Sequence, residues 1–352
     1  MAKRIFAYIL KYSIRVFRYI IGSRLSFTFL ESLIAELQIS TKTFITYHQR
    51  PQPVASIRSL SQTEIQLPQL AIVIQGPIIS INSFTLDTVR LYKQHFPGAL
   101  IILSTWDDEQ QSTVSIVESL GVHVLLNAKP EYPGVSNINF QIVSSKAGVK
   151  KARELGAEYV LKSRTDQRIY APNIGEYLFN IIQLFPINVS GHKQHKRIIG
   201  ISMNTFKYRM YGLSDMLIYG HINDMILYWD VELDNRKFDD NEIQKAVISL
   251  RSFAHWRVCE VYLATEFLSK IGYTLRWTLE DSWRVFADHF CVVDKESLDL
   301  YWGKYGFSEF RWKQYEKRIN VFEEMSFKEW LNLYRNQIGF AAPEEILDLP
   351  VK

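Results

Sequence analysis

The 352-residue sequence contains two cysteines, Cys259 and Cys291. Two are too few for a disulfide framework and fit a reducing cytoplasm. No Cys/His array has zinc spacing, and there is no internal repeat. No run of about 18 uncharged apolar residues occurs, so no transmembrane helix is expected. No G-x-G-x-x-G follows the first candidate strand, which disfavours a dinucleotide enzyme, and G-x-x-x-x-G-K-[ST] and G-x-S-x-G are both absent. The net charge of +4 is too small to argue for nucleic acid.

Hydrophobic residues make up 47% of the chain, enough for a full core. Aromatics reach 14%, which suits a sugar-binding cleft and a membrane-surface protein equally well.

Apolar β-branched runs alternate with helical patterns from residue 66 onward. Leu70–Ile74 predicts a buried strand stopping at Gln75-Gly76-Pro77. Ser83–His95 predicts a helix, Ala99–Leu103 a second strand and Gln110–Leu120 a second helix. Val122–Leu126 predicts a third strand, and Asn137 can cap a helix running to about Leu155. Tyr159 opens a fourth strand. This alternation predicts right-handed βαβ units in a mostly parallel, doubly wound α/β sheet with helices on both faces.

The fourth strand, Y-V-L-K-S-R-T-D-Q-R-I-Y over Tyr159–Tyr170, turns abruptly from apolar to charged. Ligands bind where such strands emerge at their carboxyl ends. Alternation along a strand should put Lys162, Arg164 and Asp166 on one face. Two cations and a carboxylate there suit a diphosphate, with or without a divalent metal.

The first 65 residues carry a basic amphipathic pattern followed by a connector. At about 100° per residue, Lys3, Arg4, Lys11, Arg15 and Arg18 share a sector of about 120°. Ile5, Ile9, Val16 and Ile20 lie opposite. The charges interrupt any signal-peptide core. The pattern fits a helix lying on an anionic membrane surface, or one packed on the main domain or a partner.

Four motifs carry a resemblance: I-V-I-Q-G-P-I at Ile72–Ile78, I-I-L-S-T-W at Ile101–Trp106, N-I-N-F-Q-I at Asn137–Ile142 and the Tyr159–Tyr170 stretch. In order and spacing they resemble the WavE lipopolysaccharide synthesis family, from about residue 70 to 295. The resemblance implies a bacterial GT-A-like glycosyltransferase, moving a sugar from a nucleoside-diphosphate donor to a lipid-linked or oligosaccharide acceptor of a lipopolysaccharide core or related surface glycan. It would work on the inner face of the cytoplasmic membrane. A nucleotidyltransferase making the sugar nucleotide, and an inactive scaffold of the same fold, are the alternatives.

In that frame Gln75, Gly76 and Pro77 approach the nucleotide, and Asp107 or Asp108 accepts from ribose or base, or serves as a helix N-terminal acid. Asn137, Asn139 and Gln141 face the donor, with capping as the other reading of Asn137. Arg164 and Arg168 support the phosphates. Asp166, in T-D-Q rather than D-x-D, holds Mn²⁺ or Mg²⁺, which often takes one or two carboxylates plus phosphate oxygens. Alternatively the arginines and Lys162 neutralise the diphosphate alone.

Further along, Gly191–Arg197 reads as a solvated basic loop, contact with acceptor phosphates being the lesser reading, and Ile198–Ser202 as a strand. Asp215 either binds sugar hydroxyls or forms a turn with Ser214. Glu260 and Glu266, inside a helix expected over His255–Ile271, should face solvent, a catalytic role for either being the lesser reading. Asp281, with Glu280 beside it, is the expected base for an acceptor hydroxyl, or Asp281 or Ser282 caps the helix from Trp283. His289 is a possible metal or phosphate ligand, or a packed ring. Residues 297–352 read as a helical extension.

Overall fold

The structure is a computed structural model that describes residues 68–236, 249–303, 323–335 and 342–350, with scattered positions between 8 and 40. It divides into two compact units, Met1–Gln52 and Pro53–Lys352.

In the first unit residues 11–16 are helical and exposed, so Lys11, Arg15, Ile14 and Val16 all face solvent. Tyr8, Tyr12 and Tyr19 are exposed as well. The other residues of the expected basic and apolar faces, and nearly all of the connector, lie outside the described residues.

The second unit is built on a seven-stranded sheet. Its strands are β1 (Leu70–Gln75), β2 (Leu100–Trp106), β3 (His123–Asn127), β4 (Tyr159–Arg164), β6 (Ile198–Ile201), β7 (Ile218–His221) and β8 (Phe290–Val293). The order is β3-β2-β1-β4-β7-β6-β8. Every pairing is parallel except those of β7, which runs against both β4 and β6. Isoleucine, leucine and valine fill the central strands because both faces are covered.

The helices of this unit are α1 (Phe84–His95), α2 (Gln111–Glu118), α3 (Ile138–Glu154), α4 (Ile174–Leu184), α5 (Ile222–Trp229), α6 (Leu250–His255), α7 (Cys259–Ile271), α8 (Leu279–His289) and α9 (Phe327–Arg335). Val73 pairs in register with Lys162, and Gln75 with Arg164, so these four point to one face. Helix α3 covers that face. A Cβ on its Gly148 would stand 2.3 Å from Val73 Cγ1, so only glycine lets the helix come this close. Tyr159 and Ser163 point the other way, toward Phe179 of α4 and Tyr92 of α1. The expected doubly wound α/β sheet with helices on both faces is therefore present.

Some elements differ from the sequence pattern. Strand β2 runs on through Ser104, Thr105 and Trp106, past the end expected at Leu103. The helix expected over His255–Ile271 breaks between α6 and α7, where Arg257 takes a φ of 50°. Helix α8 begins before Asp281 and is capped by Thr278, whose side chain accepts the Asp281 N–H. The described parts of 297–352 are woven into the domain. Strand β9 (Leu300–Trp302) pairs antiparallel with β5 (Gln167–Ile169). Trp330 of α9 is buried, its Nε1 donating to the Phe286 and Phe290 carbonyls, each at 2.9 Å.

Candidate functional site

Because β7 is reversed, its start lies at the edge where β1, β2, β3, β4, β6 and β8 end. That edge collects the Gly76 loop, Asp166, the loop after β6, and Asp215 before β7.

Asp166 is the best-fastened acid there. Its Oδ1 accepts Arg164 Nε at 2.8 Å, and its Oδ2 accepts Arg164 Nη2 at 3.0 Å. Trp302 Nε1 donates to the same Oδ2 at 3.1 Å, and Gly303 N–H to the Asp166 carbonyl at 3.0 Å. A bidentate pair of this kind fixes both planes. It uses one side of the guanidinium; Arg164 Nη1 has no hydrogen-bond partner among the described residues. Gly76 stands alongside at φ 118°, where a Cβ would come within 2.8 Å of Thr165 Oγ1. The Thr165 N–H closes the two loops together on the Gln75 carbonyl, at 3.0 Å.

Below this pair lies a buried charged layer. Lys162 is fully buried and donates to the Asp215 carbonyl at 2.6 Å and to Gln141 Oε1 at 3.3 Å. Its ammonium sits 5.0 Å from the centre of a Trp229 ring. Burial pulls its pKa down to about 8, with Asp215 opposing. The Asp215 carboxylate accepts the Cys259 thiol at 3.1 Å. Glu260, in the first turn of α7, is hydrogen-bonded to Asn204 Nδ2 and lies 3.5 Å from Arg209. Burial pushes the Glu260 carboxyl up, against the pull of Arg209.

The edge thus brings together Gln75, Gly76, Pro77, Asn137, Gln141, Arg164, Asp166 and Asp215. Gln75 is buried and accepts from Ser144 Oγ at 2.9 Å, so it lines the loop from within. Pro77, Asp107 and Asn137 are exposed. Asn137 precedes α3 in the left-handed region and its side chain makes no cap, contrary to the capping reading.

Other expected residues are committed elsewhere. Arg168 is buried and donates to Thr88 Oγ1, Tyr170 Oη and the Phe84 carbonyl, so it braces α1 and is not placed to hold phosphates. Asn139 is buried and exchanges bonds with the Asp234 backbone, at 2.7 and 2.9 Å. Arg197 of the expected solvated loop is buried against carbonyls of Phe185, Pro186 and Ala287.

Asp281 is not a free base. It is 3% exposed and accepts from Tyr211 Oη, Tyr273 Oη and the Arg276 N–H, at 2.7 to 3.0 Å. Glu280 points outward and pairs with Arg284 along the helix at 3.1 Å. His289 immediately precedes β8 and so lies at the opposite edge from Asp166, across a four-residue strand of roughly 13 Å. It packs on His192 and Tyr273 and is held 2.7 Å from Gln194 Oε1. Burial lowers its pKa to about 3. It cannot share a metal with Asp166.

Among the described residues no group of three or more His, Cys, Asp or Glu could hold a metal. Both Asp166 oxygens already accept from Arg164, and one also from Trp302. This donor set does not fit a resident Mn²⁺ or Mg²⁺.

Sequence reasoning missed Asn204, Arg209, Cys259 and Trp302 as parts of the site and ranked Glu260 as a solvent-facing acid first. A helical acid normally faces water, and nothing local marks Glu260 as buried. Its nearest signal is its place at a helix start beside Cys259, a residue type that favours burial.

The chain matches the family described as WavE lipopolysaccharide synthesis over residues 70–349, further toward the C terminus than the four motifs reach. No curated protein is a significant match. Among solved structures, a Bacillus anthracis protein assigned as a glucose-1-phosphate thymidylyltransferase, crystallised with sucrose, is 9% identical. It has a TM-score of 0.29, covering 59% of this chain and 97% of its own. A Desulfovibrio desulfuricans protein assigned as a nucleotide-diphospho-sugar transferase is 10% identical. Its TM-score is 0.30, covering 58% and 76%. At such scores neither likeness decides the fold, which rests on the strand order above.

Proposed function

Because the chain belongs to the WavE lipopolysaccharide synthesis family, we propose that it is a glycosyltransferase. It moves a sugar from a nucleoside-diphosphate donor to a hydroxyl of a lipopolysaccharide core or related surface glycan. The observation that carries the reading is the Arg164–Asp166 pair beside Gly76, at the strand edge where an α/β sheet binds ligands.

In this reaction the acceptor oxygen bonds to the anomeric carbon while the bond from that carbon to the diphosphate oxygen breaks. The nucleoside diphosphate leaves with the electron pair. Arg164, oriented by Asp166, offers its outer N–H groups to the charge growing on the diphosphate. Gly76 lets backbone come close to the nucleotide. The Lys162 ammonium adds positive potential from below without touching the donor. Glu260 replaces Asp281 as the acid proposed to take the acceptor proton: it lies at this edge, held by Asn204 and Arg209, and burial pushes its carboxyl up. No step runs through a metal.

The basic, partly apolar helix in the first unit would hold the enzyme on the anionic inner face of the cytoplasmic membrane, where lipid-linked acceptors are made. No described helix is long and apolar enough to cross a membrane.

Calorimetric titration with UDP, GDP, CMP and ADP, with and without Mn²⁺, tests the assignment. Binding of one nucleotide that Arg164→Lys weakens supports the reading. Binding that appears only with Mn²⁺ would restore the metal to Asp166. Binding of none of them would overturn the transferase and favour a scaffold.

A further inference from the structure

His255, the exposed last residue of α6, lies over Trp277 with ring centroids 4.4 Å apart and planes 29° from parallel. Trp277 is partly exposed and meets Tyr211 edge-on at 5.2 Å. Beside it the Arg276 side chain is 77% exposed. Packing alone does not account for a tryptophan left partly in water.

The backbone around this stack is held in an unusual state. Tyr211, Arg257 and Trp277 have φ of 58°, 50° and 57°. Bulky side chains seldom adopt that region, and such strain gathers where binding needs a fixed geometry. Asp281 is the group that holds it. Its carboxylate accepts the Arg276 N–H at 3.0 Å and the Tyr211 hydroxyl at 2.7 Å. The Tyr211 oxygen in turn accepts the Trp277 N–H at 2.9 Å. The Arg276–Trp277 dipeptide is thus suspended from a buried acid.

The stack adjoins the edge described above. Tyr211 lies in the loop after β6 and is joined through Gly212 to Arg209, the partner of Glu260. A Cβ on Gly212 would come within 2.6 Å of Arg209 Nε, so the arginine lies directly on that backbone. His255 precedes Glu260 by five residues. These links join the stack to the Glu260 side of the edge.

We propose that His255, Trp277 and Arg276 form the acceptor subsite, a platform for an anionic oligosaccharide. A sugar ring packs its C–H face on the electron-rich aromatic surface, and Arg276 pairs with a phosphate or carboxylate substituent. The proposal rests on the transferase reading, and Asp281 serves it as a positioning residue.

The test is calorimetric titration of the full chain with lipopolysaccharide core oligosaccharide freed of lipid by mild acid. Trp277→Ala is expected to weaken its binding at least tenfold, and Arg276→Gln about threefold, while Trp277→Phe keeps most of the affinity. Nucleotide binding stays unchanged in all three. Since Trp277→Ala could loosen the fold, His255→Ala at an exposed position carries the same expectation, about threefold. Oligosaccharide affinity that is unchanged in Trp277→Ala and His255→Ala would overturn the platform, as would no binding by the wild type. Trp277-dependent oligosaccharide binding without any nucleotide binding would sink the transferase and leave the platform standing.

Discussion

Asp166 and Arg164 meet side-on through two hydrogen bonds of 2.8 and 3.0 Å, so the acid spends its oxygens on orienting a cation. Arg164→Lys should therefore cost geometry more than charge. Nucleoside-diphosphate affinity is expected to fall at least tenfold, about 1.4 kcal/mol, with a small change in melting temperature. Asp166→Ala should lower both, because it leaves a mostly buried guanidinium unpaired at a cost of roughly 3 kcal/mol. Calorimetry and thermal unfolding on the two variants separate these outcomes.

Gly76→Ala meets two obstacles, a φ of 118° and the Thr165 hydroxyl 2.8 Å from the new carbon. A loss of about 2–3 kcal/mol is expected from the strained backbone and the clash together. Thr165→Ala in the same chain should recover only the clash. A double-mutant cycle by urea unfolding measures the split; full recovery would mean that backbone strain contributes nothing.

Lys162 offers a test by pH. Its folded pKa of about 8 lies below the ordinary lysine value of 10.5, so the unfolded chain binds the proton more tightly. Stability contributed by this group therefore rises as pH goes from about 8 to about 10.5, by at most roughly 3 kcal/mol. Lys162→Met should flatten that rise relative to wild type. Parallel slopes for the two proteins in chemical unfolding over that range would refute the assignment.

Asp224 has the opposite sign. Burial raises its pKa from 3.8 to about 6, although it accepts the backbone N–H groups of His195 and Lys196. Its contribution is fully present below about pH 4 and is lost as pH rises through 6, on the order of 2–3 kcal/mol. Asp224→Asn should be flatter than wild type between pH 4 and 7. Equal pH dependence in the two proteins would exclude this carboxyl as the source.

The exposed Lys11, Arg15, Ile14 and Val16 predict that the full chain pellets with phosphatidylglycerol vesicles and not with phosphatidylcholine, and that salt weakens the binding. Lys11→Glu with Arg15→Glu should release it. Equal pelleting with both lipids would argue against an electrostatic contact.

The first four strands and the mostly parallel sheet were readable because β-branched runs and helix punctuation are local signals; the order of the strands in the sheet was not. Asp166 was readable too, since a strand that turns charged at its end announces itself. The layer beneath it was not. Glu260 looks like any helical acid until the reversal of β7 and the loop after β6 bring Arg209 and Asn204 over it. Asp281 misled for the opposite reason. A Glu-Asp pair suggests chemistry, but three hydrogen bonds from residues scattered between 211 and 276 had already claimed the carboxylate. His289 failed on direction, since only the sheet shows that it precedes its strand while Asp166 follows one.

The bond from Trp302 to Asp166 spans 136 residues of chain. At a synthesis rate of roughly 5–20 residues per second, the ribosome needs about 7 to 27 s to deliver the tryptophan after the aspartate. During that interval β5 has no β9 beside it, and the Arg164–Asp166 pair lacks its lid of indole and Gly303 amide. The edge around Asp166 is therefore complete only once Trp302 and Gly303 have been made, and a chain truncated before Trp302 would keep the Arg164–Asp166 pair yet lack the indole and amide bonds that close over it.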